Sequence, residues 1–397
     1  MGTRSAAPDL AAVESLSAGA RRWIGRHCGF LDEPAGRAEL PVTPRVKALL
    51  QLALLNRCWA KAAEVGRPAE AGRSFGGGRP SGVSGSSEVG RSTAGGGNGV
   101  VADAAEGPDR DLAAVTATVE QVWRSRVHPP LLTVEPRYAR QFQLMYGALA
   151  PAGLDADGPH RKALAEGVAG DLLTQRRKSP FLHLETRYYA ELAGLKHQLL
   201  DYPELYRISR LAAHADGQPL AELDVCDVTH TVFHLADFGF RDPGLGAADL
   251  AHARDRVERL TEESVRRGEW DLTGKLVLAQ HCLGLDPLAT PSGAAGLRLL
   301  SEAQSPDGAF PGRSATDRVP PDATTVQFFR KSFQSTLVVA LATVILVRRR
   351  PRTDTAAERP PAPSSTPAPS STPAPSSTPA PFTTPAPSTT PAPGGAR

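Results

Sequence analysis

Apolar residues recur at helical spacing over most of positions 10–350, and no stretch alternates with period two between turn residues. This fixes the fold class as all-α. Apolar positions that return every three or four residues line helix faces, whereas a strand needs every second residue apolar. The runs are Leu10–Arg26, Pro44–Val65, Asp111–Arg126, Pro136–Leu149, Pro159–Arg177, His183–Leu200, Tyr202–Ala213, Pro219–Phe238, Ala247–Arg267, Trp270–Leu285, Pro291–Gln304 and Thr325–Arg350. Thr43-Pro44 supplies a cap and a first-turn proline for the second run. The count is about twelve helices with short Gly/Pro connectors.

Two segments break the pattern. Residues 66–109 are Gly/Ser-rich and bury too little apolar surface to offset chain entropy, so they are expected as a disordered insertion. From Pro351 a period-six repeat begins to dominate, with PAPSST at Pro361, Pro367 and Pro373, followed by PAPFTT, PAPSTT and PAPGGA. Proline at alternate positions forbids helix and sheet ladders, so 351–397 are expected as a disordered, extended tail. The expected folded domain is therefore 8–350. A net charge of +3 without a basic stripe argues against a nucleic-acid partner. The four cysteines lie far apart without CxxC, which indicates neither a disulfide framework nor a zinc ribbon.

The last helical run differs from its neighbours. Ala247–Arg267 has a single apolar stripe through Leu250, Val257 and Leu260, as a surface helix does. Thr325–Arg350 is apolar nearly all round, as a helix buried on every side is. Its uncharged stretch, Ser332–Val347, is shorter than the ~20 residues of a bilayer span and opens on polar residues. A core helix is the leading reading and a single span the alternative. The N-terminus has no apolar run of signal-peptide type, so a cytoplasmic location is expected.

A repeat of about forty residues organises the C-terminal half. RLTEESVRRGEW (Arg259–Trp270) aligns without gaps on LLSEAQSPDGAF (Leu299–Phe310), matching Leu260 with Leu300, Glu262 with Glu302, Gly268 with Gly308 and Trp270 with Phe310. In each copy an outer helix is expected to end, a glycine to turn, and the aromatic to begin an inner helix. Such a period suits an array of helical hairpins. The second copy resembles the Gln-Trp motif of the terpenoid-cyclase and prenyltransferase superfamily. That resemblance implies an α/α toroid of about six helical hairpins, in which Gln304 caps a neighbouring helix and Phe310 stacks over it. In the first copy Ser264 stands where the glutamine would be. THTVFHLADFGF and GEWDLTGKLVLAQHCLG also resemble an uncharacterised actinobacterial family seen beside natural-product gene clusters. The preference for Arg over Lys, with abundant Ala, Gly and Pro, agrees with a GC-rich genome of that kind.

The chemistry-bearing residues gather on one run. Asp227, His230, His234 and Asp237 are spaced three, four and three, which puts them on one face of a helix. On an inner helix that face lines the centre, where polar groups need partners or a wet cavity. Three readings stay open: hydrogen-bonded structural residues, an acid/base pair of His230 or His234 oriented by Asp227 or Asp237, and a metal site. A zinc set of Cys226, His230 and Cys282 is conceivable, against Cys282 as simple core. Trp270 and Asp271 head a helix, where Asp271 reads as a first-turn charge. Gln304 and Phe310 read as structural.

Several mechanisms fail on paper. No DxDD occurs for a class II terpene cyclase. Asp227 and Asp237 lie ~15 Å apart along a helix, too far for a glycosidase pair, so Glu269 or Asp271 would have to supply a partner. GxSxG, P-loop and dinucleotide fingerprints are absent, so no cofactor is named by motif. The leading expectation is an accessory protein of actinobacterial specialised metabolism that binds a small molecule or peptide in a central cavity. The rivals are a non-catalytic scaffold for partner enzymes and, third, a membrane-tethered protein.

Overall fold

The structure is a computed structural model of the 397-residue chain, and it describes residues 9–31, 42–65, 108–125, 127–133, 135–154, 164–165, 168, 173, 179–213 and 222–349. Residues 66–107 of the expected Gly/Ser-rich insertion, the Pro-rich tail and most of the expected helix Pro159–Arg177 lie outside these residues; the last two positions of that insertion, 108 and 109, are helical. Contacts group Met1–Arg350 as one unit and Pro351–Arg397 as another.

Among the described residues there are twelve α-helices and no strand. They are α1 Leu10–His27, α2 Val42–Val65, α3 Pro108–Arg124, α4 His128–Leu131, α5 Pro136–Ala148, α6 Pro180–Leu192, α7 Tyr202–Arg207, α8 Glu222–Leu235, α9 Ala247–Arg266, α10 Trp270–Cys282, α11 Pro291–Ala303 and α12 Thr325–Arg349. Local chemistry sets their starts. The Asp9 carboxylate accepts from Ala12 N at 2.8 Å, Asp201 and Glu204 form a reciprocal capping box, and the Thr290 hydroxyl accepts from Gly293 N. Proline stands in the first turn of α4, α5, α6, α7 and α11.

Several ends differ from the periodic pattern. The expected run His183–Leu200 starts earlier, at Pro180, and stops at Leu192, where Leu195 N bonds back to Ala190 O and closes the last turn. The run Tyr202–Ala213 is helical only to Arg207. The run Pro219–Phe238 is helical over Glu222–Leu235 and ends before Phe238. There the Arg241 guanidinium donates to the His234 and Leu235 carbonyls, satisfying acceptors that a longer helix would have used. The one-turn α4 had no counterpart in the pattern.

Six helices are neighbours in a closed order. α2 packs on α12, α12 on α10, α10 on α8, α8 on α6, α6 on α5, and α5 on α2. α1, α3, α7, α9 and α11 pack against members of this cycle. Contacts along the helices fix directions. Phe181 and Tyr188 of α6 meet His230 and His234 of α8, so these two run parallel. Trp23 of α1 meets Phe329 and Phe333 of α12, while Leu16 clusters with Val339, so α1 and α12 run antiparallel.

α12 is long and apolar enough to cross a membrane by length and composition, yet most of it is buried against α1, α2 and α10. Val339, Ala340, Ala342 and Ile345 are wholly shielded. Each such Val or Ile removes enough apolar surface from water to be worth roughly 1.5–3 kcal/mol. α9, by contrast, buries only a stripe that includes Ala253, Val257 and Thr261.

The forty-residue repeat is visible in space. Gly268 and Gly308 both have positive φ, at 65° and 99°. Trp270 and Phe310 meet in one apolar cluster with Leu16, Leu300, Ala303 and Val339. One expectation is corrected: Trp270 begins α10, but Phe310 lies 15 residues ahead of α12 in a non-helical segment. Pro311 and Gly312 follow it directly, and Phe310 N donates to the Thr336 hydroxyl of α12 instead. Gln304 also departs from a capping role. Its Nε2 donates to Leu16 O, in the middle of α1, and to Gly308 O, so it clasps the side of the helix. A Cβ on Gly308 would lie 2.1 Å from the Gly19 carbonyl oxygen, which is why this seam admits only glycine.

Candidate functional site

Packing of α8 against α6 and α10 assembles two polar clusters, one buried and one half-buried. The first lies between α8 and α10. Asp271 and Lys275 are one turn apart on α10, and Lys275 Nζ donates to Asp271 Oδ2 at 2.9 Å. Both are buried, Asp271 at 1% exposed and Lys275 at 8%. Asp271 is the acidic residue of the first turn of α10, as its position suggested, and it is also half of an interior ion pair. Arg313 approaches Asp271 Oδ2 at 3.6 Å, while Oδ1 is buried with no hydrogen-bond partner. Lys275 Nζ also lies 3.8 Å from Cys226 Sγ on α8. Burial alone would lower the Lys275 pKa, but the Asp271 carboxylate and then Cys226 outweigh it and hold it above 10.5, so Lys275 is an ammonium at neutral pH.

His230, one turn beyond Cys226 on α8, faces this pair. Burial first, and then the Lys275 charge, lower its pKa to about 4, with Asp271 offsetting part of the shift. His234 is pushed well below 6.5 by burial and by His230, with only weak support from the His230 carbonyl. Both rings are neutral at pH 7, and the Nδ1 atom of each is buried without a hydrogen bond. Phe181 and Phe233 flank His230; Tyr188, Tyr189 and Phe238 surround His234.

The second cluster is built on Asp237. This residue is not on the α8 face with the histidines, because the helix has ended two residues earlier. Asp237 and Phe238 instead adopt left-handed backbone, with φ of 45° and 54°, a conformation that costs non-glycine residues free energy and persists only where surroundings impose it. The surroundings here are three donors. Tyr188 OH and Arg57 Nη1 reach Oδ1 at 2.7 and 3.4 Å, and Lys61 Nζ reaches Oδ2 at 2.5 Å. Asp237 thus ties α2 and α6 to the end of α8. Burial drives the Tyr188 hydroxyl well above 10, so it stays protonated and donates.

The remaining expected site residues scatter. Asp227 is half-buried on α8, and the Nδ1 atoms of both imidazoles are without a hydrogen bond. Cys282 is buried at the end of α10, two turns from Lys275, so Cys226, His230 and Cys282 do not converge. Among the described residues no group of three His, Cys, Asp or Glu side chains could hold a metal. The Trp270 indole donates to Gly312 O at 2.7 Å. Glu269 lines a cavity of about 30 Å³ with Val225, Leu260, Glu263, Ser264, Arg267 and Leu272, between α8, α9 and α10. The Glu269 carbonyl accepts from the Ser264 and Thr273 hydroxyls.

Lys275, Arg57, Lys61 and Tyr188 were not picked out as functional from sequence. Asp271 and Lys275 did carry a signal, an i, i+4 acid–base pair inside an otherwise apolar run. Arg57, Lys61 and Tyr188 carried none, because they meet Asp237 from helices distant in sequence.

No curated protein and no solved structure matches the chain. One family does, over residues 17–344, which include every residue of both clusters: the chain belongs to DUF6895, a domain of unknown function.

Proposed function

We propose that α2, α5, α6, α8, α10 and α12 are the inner helices of an α/α toroid, and that its interior binds a small molecule or peptide. The cyclic order of helix neighbours and the parallel run of α6 and α8 support the ring. The binding reading is carried by one observation, the buried Asp271–Lys275 pair with an unpartnered carboxylate oxygen, packed against the helix that carries the unpartnered Nδ1 of His230. A buried ion pair is a poor stabiliser, since an apolar pair of similar volume is often as stable or more so. Polar atoms left unsatisfied in a core therefore point to a bound group that satisfies them. The ligand presents a hydrogen-bond donor to Asp271 Oδ1, and His230, neutral at pH 7, accepts or donates at its side. The resemblance to actinobacterial proteins beside natural-product genes supports the reading of a cytoplasmic accessory protein of specialised metabolism.

The test is a thermal-shift screen of the full chain with primary amines and short peptides bearing a free N-terminus, run on the natural protein and on Asp271→Asn. Ligands that stabilise the natural protein and leave Asp271→Asn unmoved support the reading. Equal shifts in both, or none in either, sink it. The double variant Asp271→Leu/Lys275→Met should fold with stability within about 2 kcal/mol of the original, while Lys275→Met alone costs about 3–5 kcal/mol by stranding a buried charge.

A second reading, a scaffold for partner enzymes, is favoured by the rings that fill the space around His234. It predicts that the double variant keeps every interaction of the natural protein.

A further inference from the structure

Of the four cysteines, Cys28, Cys58 and Cys282 are buried, and only Cys226 is half-buried. Burial pushes the Cys28 thiol up and the Cys58 thiol to about 12, so neither is a ready nucleophile. Cys226 differs in a second way. Its sulfur touches a primary amine, Lys275 Nζ, at 3.8 Å across the α8–α10 interface, and that amine is itself hydrogen-bonded to a carboxylate at 2.9 Å. Thiol, amine and proton acceptor thus stand in a row, held by two packed helices.

We propose that Cys226 and Lys275 are a redox-responsive cross-linking site, in which peroxide oxidation of Cys226 leads to a sulfenamide bond between Sγ and Nζ. The first step needs hydrogen peroxide as oxidant. Cys226 sulfur attacks one peroxide oxygen, the O–O bond breaks, and the products are the sulfenic acid and water. In the second, the Lys275 ammonium gives a proton to Asp271 Oδ2. The freed amine then attacks the sulfur, and the S–O bond breaks. The departing hydroxide takes the proton held by Asp271 and leaves as water, and the nitrogen loses its remaining extra proton to solvent. The oxidation is complete in the first step, so the second is a condensation that consumes no further oxidant. The ammonium beside the sulfur favours the thiolate that the first step uses. The Asp271 contact supplies the base that a buried ammonium otherwise lacks. The product staples α8 to α10 between positions 49 residues apart in sequence. The cross-link rests on the contacts of Lys275 with Cys226 and Asp271 and does not depend on ligand binding at Asp271.

The experiment treats the full-length protein with hydrogen peroxide and reads it by intact mass and by tandem mass spectrometry of a protease digest. The expected product is lighter than the reduced protein by two hydrogens and yields a linked peptide pair containing Cys226 and Lys275. Dithiothreitol restores the original mass. Cys226→Ser and Lys275→Arg, the second of which keeps the positive charge, both lose the linked pair while retaining the helical circular dichroism of the natural protein. Cys226 advancing to the sulfinic acid with Lys275 still free overturns the proposal. So does a linked pair that retains an oxygen, or one that survives in Lys275→Arg.

Discussion

His230 makes the protein labile to mild acid, and the size of the effect can be worked from its surroundings. Its folded pKa is about 4, lowered from 6.5 by burial and by Lys275, with Asp271 opposing. Above pH 6.5 the ring is neutral in both folded and unfolded chains, so nothing is lost. Below 6.5 the unfolded chain takes up a proton that the folded chain refuses. Stability then falls by about 1.4 kcal/mol per pH unit until the folded ring also protonates near pH 4, a total of about 3 kcal/mol. His234 is displaced in the same direction, so it adds to the loss that His230 causes. Glu263, whose pKa the Arg266 hydrogen bond holds below 4.5, contributes stability that is lost only at lower pH. Across the interval from about pH 6.5 to about pH 5 stability is lost through His230 but not through Glu263. Urea unfolding across it should show a steeper loss in the natural protein than in His230→Phe, the difference being the roughly 2 kcal/mol that His230 contributes. The phenyl ring is suited to the site, since Phe181 and Phe233 already pack there. Equal slopes in the two proteins would refute burial of a neutral His230 and the polar interior built on it.

The seam and the second cluster give further outcomes. Gly308→Ala places a methyl 2.1 Å from the Gly19 carbonyl at a φ of 99° and should cost more than about 3 kcal/mol in thermal or urea unfolding; a change under about 1 kcal/mol contradicts the close approach. Gln304→Ala, which strips hydrogen bonds to Leu16 and Gly308, should cost about 1–3 kcal/mol in the same assay, and a neutral result would remove the clasp. At Asp237, asparagine tolerates the left-handed backbone and alanine does not. Asp237→Asn should therefore unfold at a higher urea midpoint than Asp237→Ala, and the reverse order would deny the strain. Tyr188→Phe removes one of three donors to Asp237 and should lower stability by about 1–2 kcal/mol.

What the sequence made legible follows from the range of the forces involved. Helix period and first-turn prolines act within a few residues, so α1, α2, α5 and α9 to α12 fall within a few residues of their expected bounds. The repeat survived translation into space at Gly268 with Gly308 and at Trp270 with Phe310, because a backbone sign and an aromatic contact are both encoded at single positions. The candidate site was only half legible. Cys226, His230 and His234 do share the α8 face with one another, as their spacing required. Asp237 does not, because Arg241 satisfies the carbonyls that would have continued α8, and the chain turns left-handed at the next positions. A rule of three and four residues holds only while the helix lasts, and nothing in VFHLADFGF marks the stop, since the donor that ends it comes from beyond the apolar run. The partners of Asp237 were further out of reach. Arg57 and Lys61 lie 180 and 176 residues upstream, and each reads alone as a solvated charge. Only the closed order of helices brings them to one carboxylate. The long-range part of this site is therefore a product of which helices are neighbours, and variants that disturb α2 or α6 should be read as perturbing Asp237 as directly as changes to Asp237 itself.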